Sequence, residues 1–142
     1  MERRISLNIT IQYDQLIYIY LKNQEKYIYF KGTKSSVKCY LQLDDGNNWI
    51  GIRIAKEYSY GGAPLFPEVG QIDYINFEGT VQEDEHNILI TFDTNSKVYR
   101  ELEQDCNLDL IPEGIYGIEI ILWKANRDWK KEKIQKYIIV DI

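Results

Sequence analysis

Few side chains of this sequence are placed for acid–base chemistry. The single histidine, His86, follows three consecutive acidic residues, which would support it as a general base if it lay in an active site. The alternative is a solvent-exposed loop histidine, which is common because connecting segments carry polar side chains. Asp73 and Glu78 could pair as glycosidase carboxylates do, but carboxylates this frequent also pair by chance. We therefore predict that the chain is not an enzyme.

The motifs that hold cofactors or metals are absent from the sequence. It contains no Gly-x-Ser-x-Gly, phosphate-loop, His-Glu-x-x-His or Cys-x-x-Cys pattern. Cys39 and Cys106 are the only thiols, too few for a metal framework, and they could form a disulfide only in an exported protein. Cys39 alternates with apolar residues, so we expect a small buried hydrophobe there. We predict no cofactor and no metal.

Charge is distributed unevenly along the chain. The net charge is −5, yet residues 73–119 carry twelve acidic and only two basic side chains. A concentrated anionic surface repels nucleic acid and attracts basic partners, whereas the alternative is a set of solvated strand faces and turns. A nuclease must hold a polyphosphate, so its cleft is cationic and accepts an acidic protein. We predict a basic protein partner and no direct binding of nucleic acid.

Tyrosine is abundant, with twelve residues. In a predicted hairpin of residues 16–22 and 27–31, four tyrosines alternate with aliphatic residues and so share one face. If the aliphatic residues of the other parity face the core, these tyrosines lie on the outer face, where they serve either an interface or cross-strand pairing. The candidate partner-binding residues are Glu83, Asp84, Glu85, Tyr18, Tyr20, Tyr27 and Tyr29.

The elements that must position these residues have the period of two that is typical of strands. Residues 5–13 alternate strictly, and residues 37–43 and 49–55 predict a hairpin in which Gly46 supplies a positive φ. Strands are also expected over 71–81 and 88–93, with a loop over 58–70. Residues 96–106 fit either a short helix or a poor strand. Pro112 and Gly114 predict a turn within 108–123, with Ile111 facing Ile115.

These elements predict a single domain over residues 1–142, an all-β antiparallel β-sandwich of about eight or nine strands with possibly one short helix. No apolar run is long enough to cross a bilayer, and no apolar stretch follows Met1 as in a secretory signal. We therefore expect a cytoplasmic protein without membrane contact. The sequence does not specify the oligomeric state.

Two parts of the chain resemble one protein family. Near the carboxyl end, eight positions match in order and spacing: Leu110, Pro112, Gly114, Tyr116, Trp123, Tyr137, Ile138 and Ile139. The alternating strand at residues 7–13, followed by Gln15 and Leu16, is similar at the amino end. The chain thus resembles the competence protein J family of DNA-entry nuclease inhibitors. The resemblance implies an intracellular protein that blocks a competence-associated nuclease and has no catalytic residues.

Three functional hypotheses follow. The first is a protein that inhibits a partner, most plausibly a nuclease, through its acidic and tyrosine-rich surface. The second is a toxin-immunity protein that acts by the same mechanism. The third is a carbohydrate-binding module in which Trp49, Trp123 and Trp129 stack on sugars. The basic segment at 123–133 could also bind single-stranded nucleic acid, but an exposed lysine-rich loop fits the acidic remainder better.

Overall fold

The computed structural model describes residues 2–12, 16–21, 29–46, 48–56, 77–112, 114–121 and 138–141. Within these ranges the fold is all-β and contains no helix. The strands are β1 (Glu2–Gln12), β2 (Leu16–Tyr20), β3 (Gly32–Leu43), β4 (Trp49–Ala55), β5 (Phe77–Glu83), β6 (Asn87–Thr91), β7 (Arg100–Ile111), β8 (Gly114–Ile121) and β9 (Ile138–Asp141).

Eight of these strands form one antiparallel, strongly curled sheet in the order β2-β8-β7-β3-β4-β6-β5-β1. The length of β1 explains the curl, because this strand pairs with two others. Residues 2–7 of β1 pair with β5, whereas residues 8–12 pair with β2, the strand at the far end of the order. The ninth strand, β9, runs parallel to β1. The sheet is a half-barrel that encloses the core on its concave face.

The prediction of an all-β fold is confirmed, but the prediction of a two-sheet sandwich is wrong. Alternation of apolar and polar residues indicates only that each strand has one buried face. That condition is met equally by two stacked sheets and by one curled sheet, because the difference lies in which strands pair. The parallel pairing of β9 with β1 likewise departs from the fully antiparallel expectation.

The helical alternative for residues 96–106 is wrong as well. β7 begins at Arg100 and pairs with β3 on one side and β8 on the other. Leu102, Cys106 and Leu108 point into the core, as every second residue of a strand does. The helix-like spacing of Leu102 and Cys106 is four residues, which is also two strand repeats.

The hairpin of β3 and β4 is confirmed, although its turn is built differently than predicted. Gly46 does not have the positive φ expected of it. Instead, the carboxylate of Asp44 accepts hydrogen bonds from the backbone N–H groups of Gly46 and Asn48, at 2.9 Å each. The N–H of Asp44 donates to the carbonyl of Asn48 at 3.0 Å, so a side-chain acceptor and a backbone hydrogen bond close this turn together.

The hairpin of β7 and β8 is confirmed with a corrected register. Ile111 pairs with Gly114, which has a φ of 145°, and Ile115 pairs with Leu110. The hairpin predicted for residues 16–22 and 27–31 is wrong. The two edges of β2 are occupied by β1 and β8, and residues 29–31 do not belong to a strand.

The core is dominated by aliphatic side chains from the concave face of the sheet. Its fully enclosed members include Ile9, Ile17, Ile19, Leu41, Ile52, Ile54, Ile88, Ile90, Ile118 and Ile120. Cys39 and Cys106 are buried there as free thiols, so the expectation for Cys39 is confirmed. No helix of the described residues has the length and apolar character needed to cross a membrane. The predicted loop at 58–70 and the basic segment at 123–133 lie outside the described residues.

Candidate protein-binding surface

The three acidic residues at 83–85 lie at the turn between β5 and β6, and two of them serve the local structure. Glu83 lies 3.5 Å from the ammonium of Lys56, and both side chains are largely buried. The carboxylate of Asp84 accepts hydrogen bonds from the backbone N–H groups of His86 and Asn87, at 2.8 Å each. These bonds lower the pKa of Asp84 from its usual range. Asp84 and Glu85 are both exposed to solvent, and the side chain of Glu85 is 89% exposed.

The tyrosines of β2 lie on the convex face of the sheet, as predicted. Ile17 and Ile19 enter the core, so Tyr18 and Tyr20 point the other way, with ring centroids 4.5 Å apart. Tyr29 is 77% exposed and lies just before β3. Tyr27 lies outside the described residues. The four tyrosines therefore do not form the regular ladder of one hairpin.

Tyr18 is packed into the convex face, because its ring and its hydroxyl both contact neighbouring residues. Its ring lies over Gly117, where a side chain would collide with it, and it is only 9% exposed. Its hydroxyl donates a hydrogen bond of 2.6 Å to Asp109, which also accepts one of 2.7 Å from the hydroxyl of Thr33. Burial and this carboxylate raise the pKa of Tyr18 well above its ordinary value. Tyr18 is therefore a structural residue of the convex face.

The structure separates the two groups of predicted site residues. Gln82, next to the acidic turn, pairs with Glu2, whereas Tyr20 pairs with Asn8. The two partners are six residues apart along β1, which corresponds to about 20 Å in a strand. The acidic turn and the tyrosines of β2 thus belong to different parts of the surface.

The convex face of β7 carries an acidic feature that the sequence-based candidates missed. Because its even-numbered residues enter the core, its odd-numbered residues point outward, about 7 Å from one another. Four of these outward residues are acidic, and we call them the carboxylate ladder: Glu101, Glu103, Asp105 and Asp109. Asn107 occupies the position between the last two. The neighbouring strand β8 adds Glu119, which accepts a 2.9 Å hydrogen bond from Asn107.

Basic side chains contact the first half of the carboxylate ladder. Arg53 donates to both oxygens of Glu101 at 2.9 and 3.0 Å, and this pairing lowers the pKa of Glu101 and raises that of Arg53. The ammonium of Lys38 lies 2.6 Å from Glu103, and both side chains are more than half exposed. Asp105 is exposed and makes no side-chain ion pair among the described residues. The face therefore keeps a net negative charge.

The described residues contain no group of three or more histidine, cysteine or acidic side chains that could hold a metal ion. His86 is exposed, and its Nε2 atom lies 4.0 Å from Glu85. Trp49 is fully buried and donates its indole N–H to the carbonyl of Gly51, so it cannot stack on a sugar. Trp123 and Trp129 lie outside the described residues.

Comparisons with known proteins give no relative for this chain: no protein-family model, curated protein or solved structure matches it.

Proposed function

We propose that this chain binds a protein partner with a basic surface and blocks it, and that the partner is a nuclease. The observation that carries the proposal is the carboxylate ladder on the convex face of β7. Four large apolar side chains are exposed in the described part of the chain, and they flank the two ends of this strand: Tyr29, Phe30, Val98 and Tyr99. An acidic centre with aromatic side chains at both ends suits a protein interface.

Backbone hydrogen bonds attach the segments that carry these exposed residues to β7 and to its neighbour β3. The N–H of Lys31, which follows Phe30, donates to the carbonyl of Leu110 at 2.7 Å. At the other end, the N–H of Tyr99 donates to the carbonyl of Leu43, also at 2.7 Å. Rigid attachment lowers the conformational entropy that an interface residue loses on binding.

The size of this surface is adequate for a stable complex. Glu101 and Asp109 are eight residues apart in β7, which corresponds to about 27 Å. A standard interface buries roughly 800 Å² on each partner, comparable to a square with that edge. The carboxylate ladder therefore extends across most of such an interface.

A nuclease is the partner class that best fits this surface. Its cleft concentrates positive charge to hold the phosphates of its substrate, so a row of carboxylates can occupy the same positions. The resemblance to the competence protein J family supports a DNA-entry nuclease. A toxin nuclease has the same kind of cleft, so an immunity protein would use the same surface.

The test uses a DNA-entry nuclease, and in parallel a toxin nuclease, from the organism that encodes this chain. We expect the purified proteins to form a complex with a Kd below micromolar and DNA cleavage to stop at equimolar ratio. Complex formation should weaken as salt rises, because the attraction is screened. Unchanged cleavage and no complex at micromolar concentrations would refute the proposal. A toxin nuclease that is inhibited when the DNA-entry nuclease is not would identify an immunity protein.

A further inference from the structure

The convex face shows how this protein holds an arginine side chain. The guanidinium carbon of Arg53 lies 4.0 Å from the centre of the Tyr40 ring, while its N–H groups bind Glu101 at 2.9 and 3.0 Å. Another N–H donates to Asn87 at 2.9 Å. The ring attracts the cation through its negative face, and the carboxylate matches the two parallel donors of the guanidinium. On this face, an aromatic ring and a neighbouring carboxylate together bind one arginine side chain.

A surface pocket near the start of β7 combines the same two groups. Its volume is about 430 Å³, and its lining residues are Asp44, Asp45, Ser96, Lys97, Val98 and Tyr99. The site is an open depression of the surface, not an enclosed cavity. The ring of Tyr99 is well exposed, and Val98 adds apolar area beside it. We refer to this site as the Tyr99 pocket.

The charge of the Tyr99 pocket favours a cation. Asp45 is exposed and makes no ion pair among the described residues, so its carboxylate can accept hydrogen bonds from a ligand. Asp44 is fixed by the N–H groups of Gly46 and Asn48 and contributes a second negative charge. Lys97 supplies one opposing charge on a flexible, exposed side chain, which leaves the lining net negative.

We propose that the Tyr99 pocket receives an arginine side chain of the basic protein partner. The guanidinium lies against the ring of Tyr99 and donates to the carboxylate of Asp45, while Val98 contacts the methylene groups. Lysine fits less well, because its ammonium is a strongly hydrated point charge without two parallel donors. The identity of the bound protein rests on the proposed function. The pocket lies two residues from Glu101, so it extends the carboxylate ladder at that end.

The first experiment tests the pocket without the partner. The blocked tripeptide Gly-Arg-Gly is titrated into the ¹⁵N-labelled chain, with Gly-Lys-Gly as the matched cation. We expect NMR shift changes confined to residues 44–46 and 96–99, saturation in the millimolar range, and at least fivefold weaker binding of the lysine peptide. Tyr99→Ala and Asp45→Asn should each abolish saturation. Equal binding of both peptides, or shift changes elsewhere on the surface, would overturn the assignment.

The second experiment uses the nuclease of the proposed function. Tyr99→Ala should weaken the complex at least tenfold, whereas the control Lys97→Gln should strengthen it slightly by removing the opposing charge. If Tyr99→Ala and Asp45→Asn both bind the nuclease as tightly as the wild type does, the role of the pocket is refuted and the proposed function stands. Tripeptide binding at the pocket without any nuclease complex would support the arginine site and refute the proposed function.

Discussion

The turn between β5 and β6 holds three carboxylates in a row, whereas the four carboxylates of β7 are separated by residues that enter the core. In the turn, Glu83 is largely buried beside Lys56, whereas Asp84 binds the backbone but is exposed, as Glu85 is. On β7 the alternation of a strand places every carboxylate on the same face. Acidic density along a sequence therefore does not show which carboxylates share a face, because the local structure decides their directions.

The largest expected effect on stability concerns Asp109, the last residue of the carboxylate ladder, which is hydrogen-bonded to Tyr18. Tyr18→Phe removes the hydroxyl that donates to this carboxylate at 2.6 Å and should lower the free energy of unfolding by about 2 kcal/mol. In the wild type, the fold raises the pKa of Tyr18 above its ordinary value of 10.0, so the protonated hydroxyl contributes its full stabilisation below pH 10.0. This stabilisation decreases as the pH rises above 10.0. Urea unfolding at pH 8 and 10.5 should show a smaller pH-dependent loss for the variant.

Tyr20→Phe is the matched control for that experiment, since Tyr20 lies on the same strand and face. It should change stability by much less than Tyr18→Phe. Equal losses for the two variants would contradict the structural role of Asp109.

A smaller effect is expected at the other end of the carboxylate ladder. Glu101→Gln breaks the paired hydrogen bonds with Arg53 and should cost no more than about 1 kcal/mol, because solvent screens a partly exposed pair. The lowered pKa of Glu101 means that its stabilisation is present above its ordinary value of 4.5 and is lost as the pH falls below it. Thermal unfolding between pH 3 and 7 should therefore show a weaker acid dependence in the variant.

The smallest effect distinguishes the carboxylates of the acidic turn from one another. Asp84→Ala removes the acceptor for two backbone N–H groups and should lower the Tm slightly, whereas Glu85→Ala should leave it unchanged. A Tm loss for Glu85→Ala as large as that for Asp84→Ala would show that the acidic turn is built differently from this account.

Much of the fold could be predicted from the sequence, because alternation is a local property. The strand at the amino end, the hairpin of β3 and β4, and the turn at Pro112 all carry their signals within a few residues. The curled sheet could not be predicted, because it depends on β1 pairing with both β5 and β2. Pairing between distant strands leaves no mark on the alternation of either strand.

The candidate site was predicted less well. The convex position of Tyr18 and Tyr20 followed from the opposite parity of Ile17 and Ile19, but the burial of Tyr18 depends on Gly117, which is distant in sequence. The carboxylate ladder did have a local signal, since acidic residues alternate with core residues from Glu101 onward. The competing helical interpretation of residues 96–106 concealed it, because a helix would scatter the same carboxylates over several faces.

The most direct test compares one carboxylate of each acidic region in binding to the nuclease. Asp105→Lys and Glu85→Lys change the net charge equally, and both side chains are exposed, so both variants should fold, with a small stability loss for Asp105→Lys because Lys38 lies opposite it. Stopped-flow association at low salt should be about tenfold slower for Asp105→Lys, with a weaker salt dependence, and within twofold of wild type for Glu85→Lys. Equal slowing by both variants, or a larger effect of Glu85→Lys, would contradict binding through the convex face of β7.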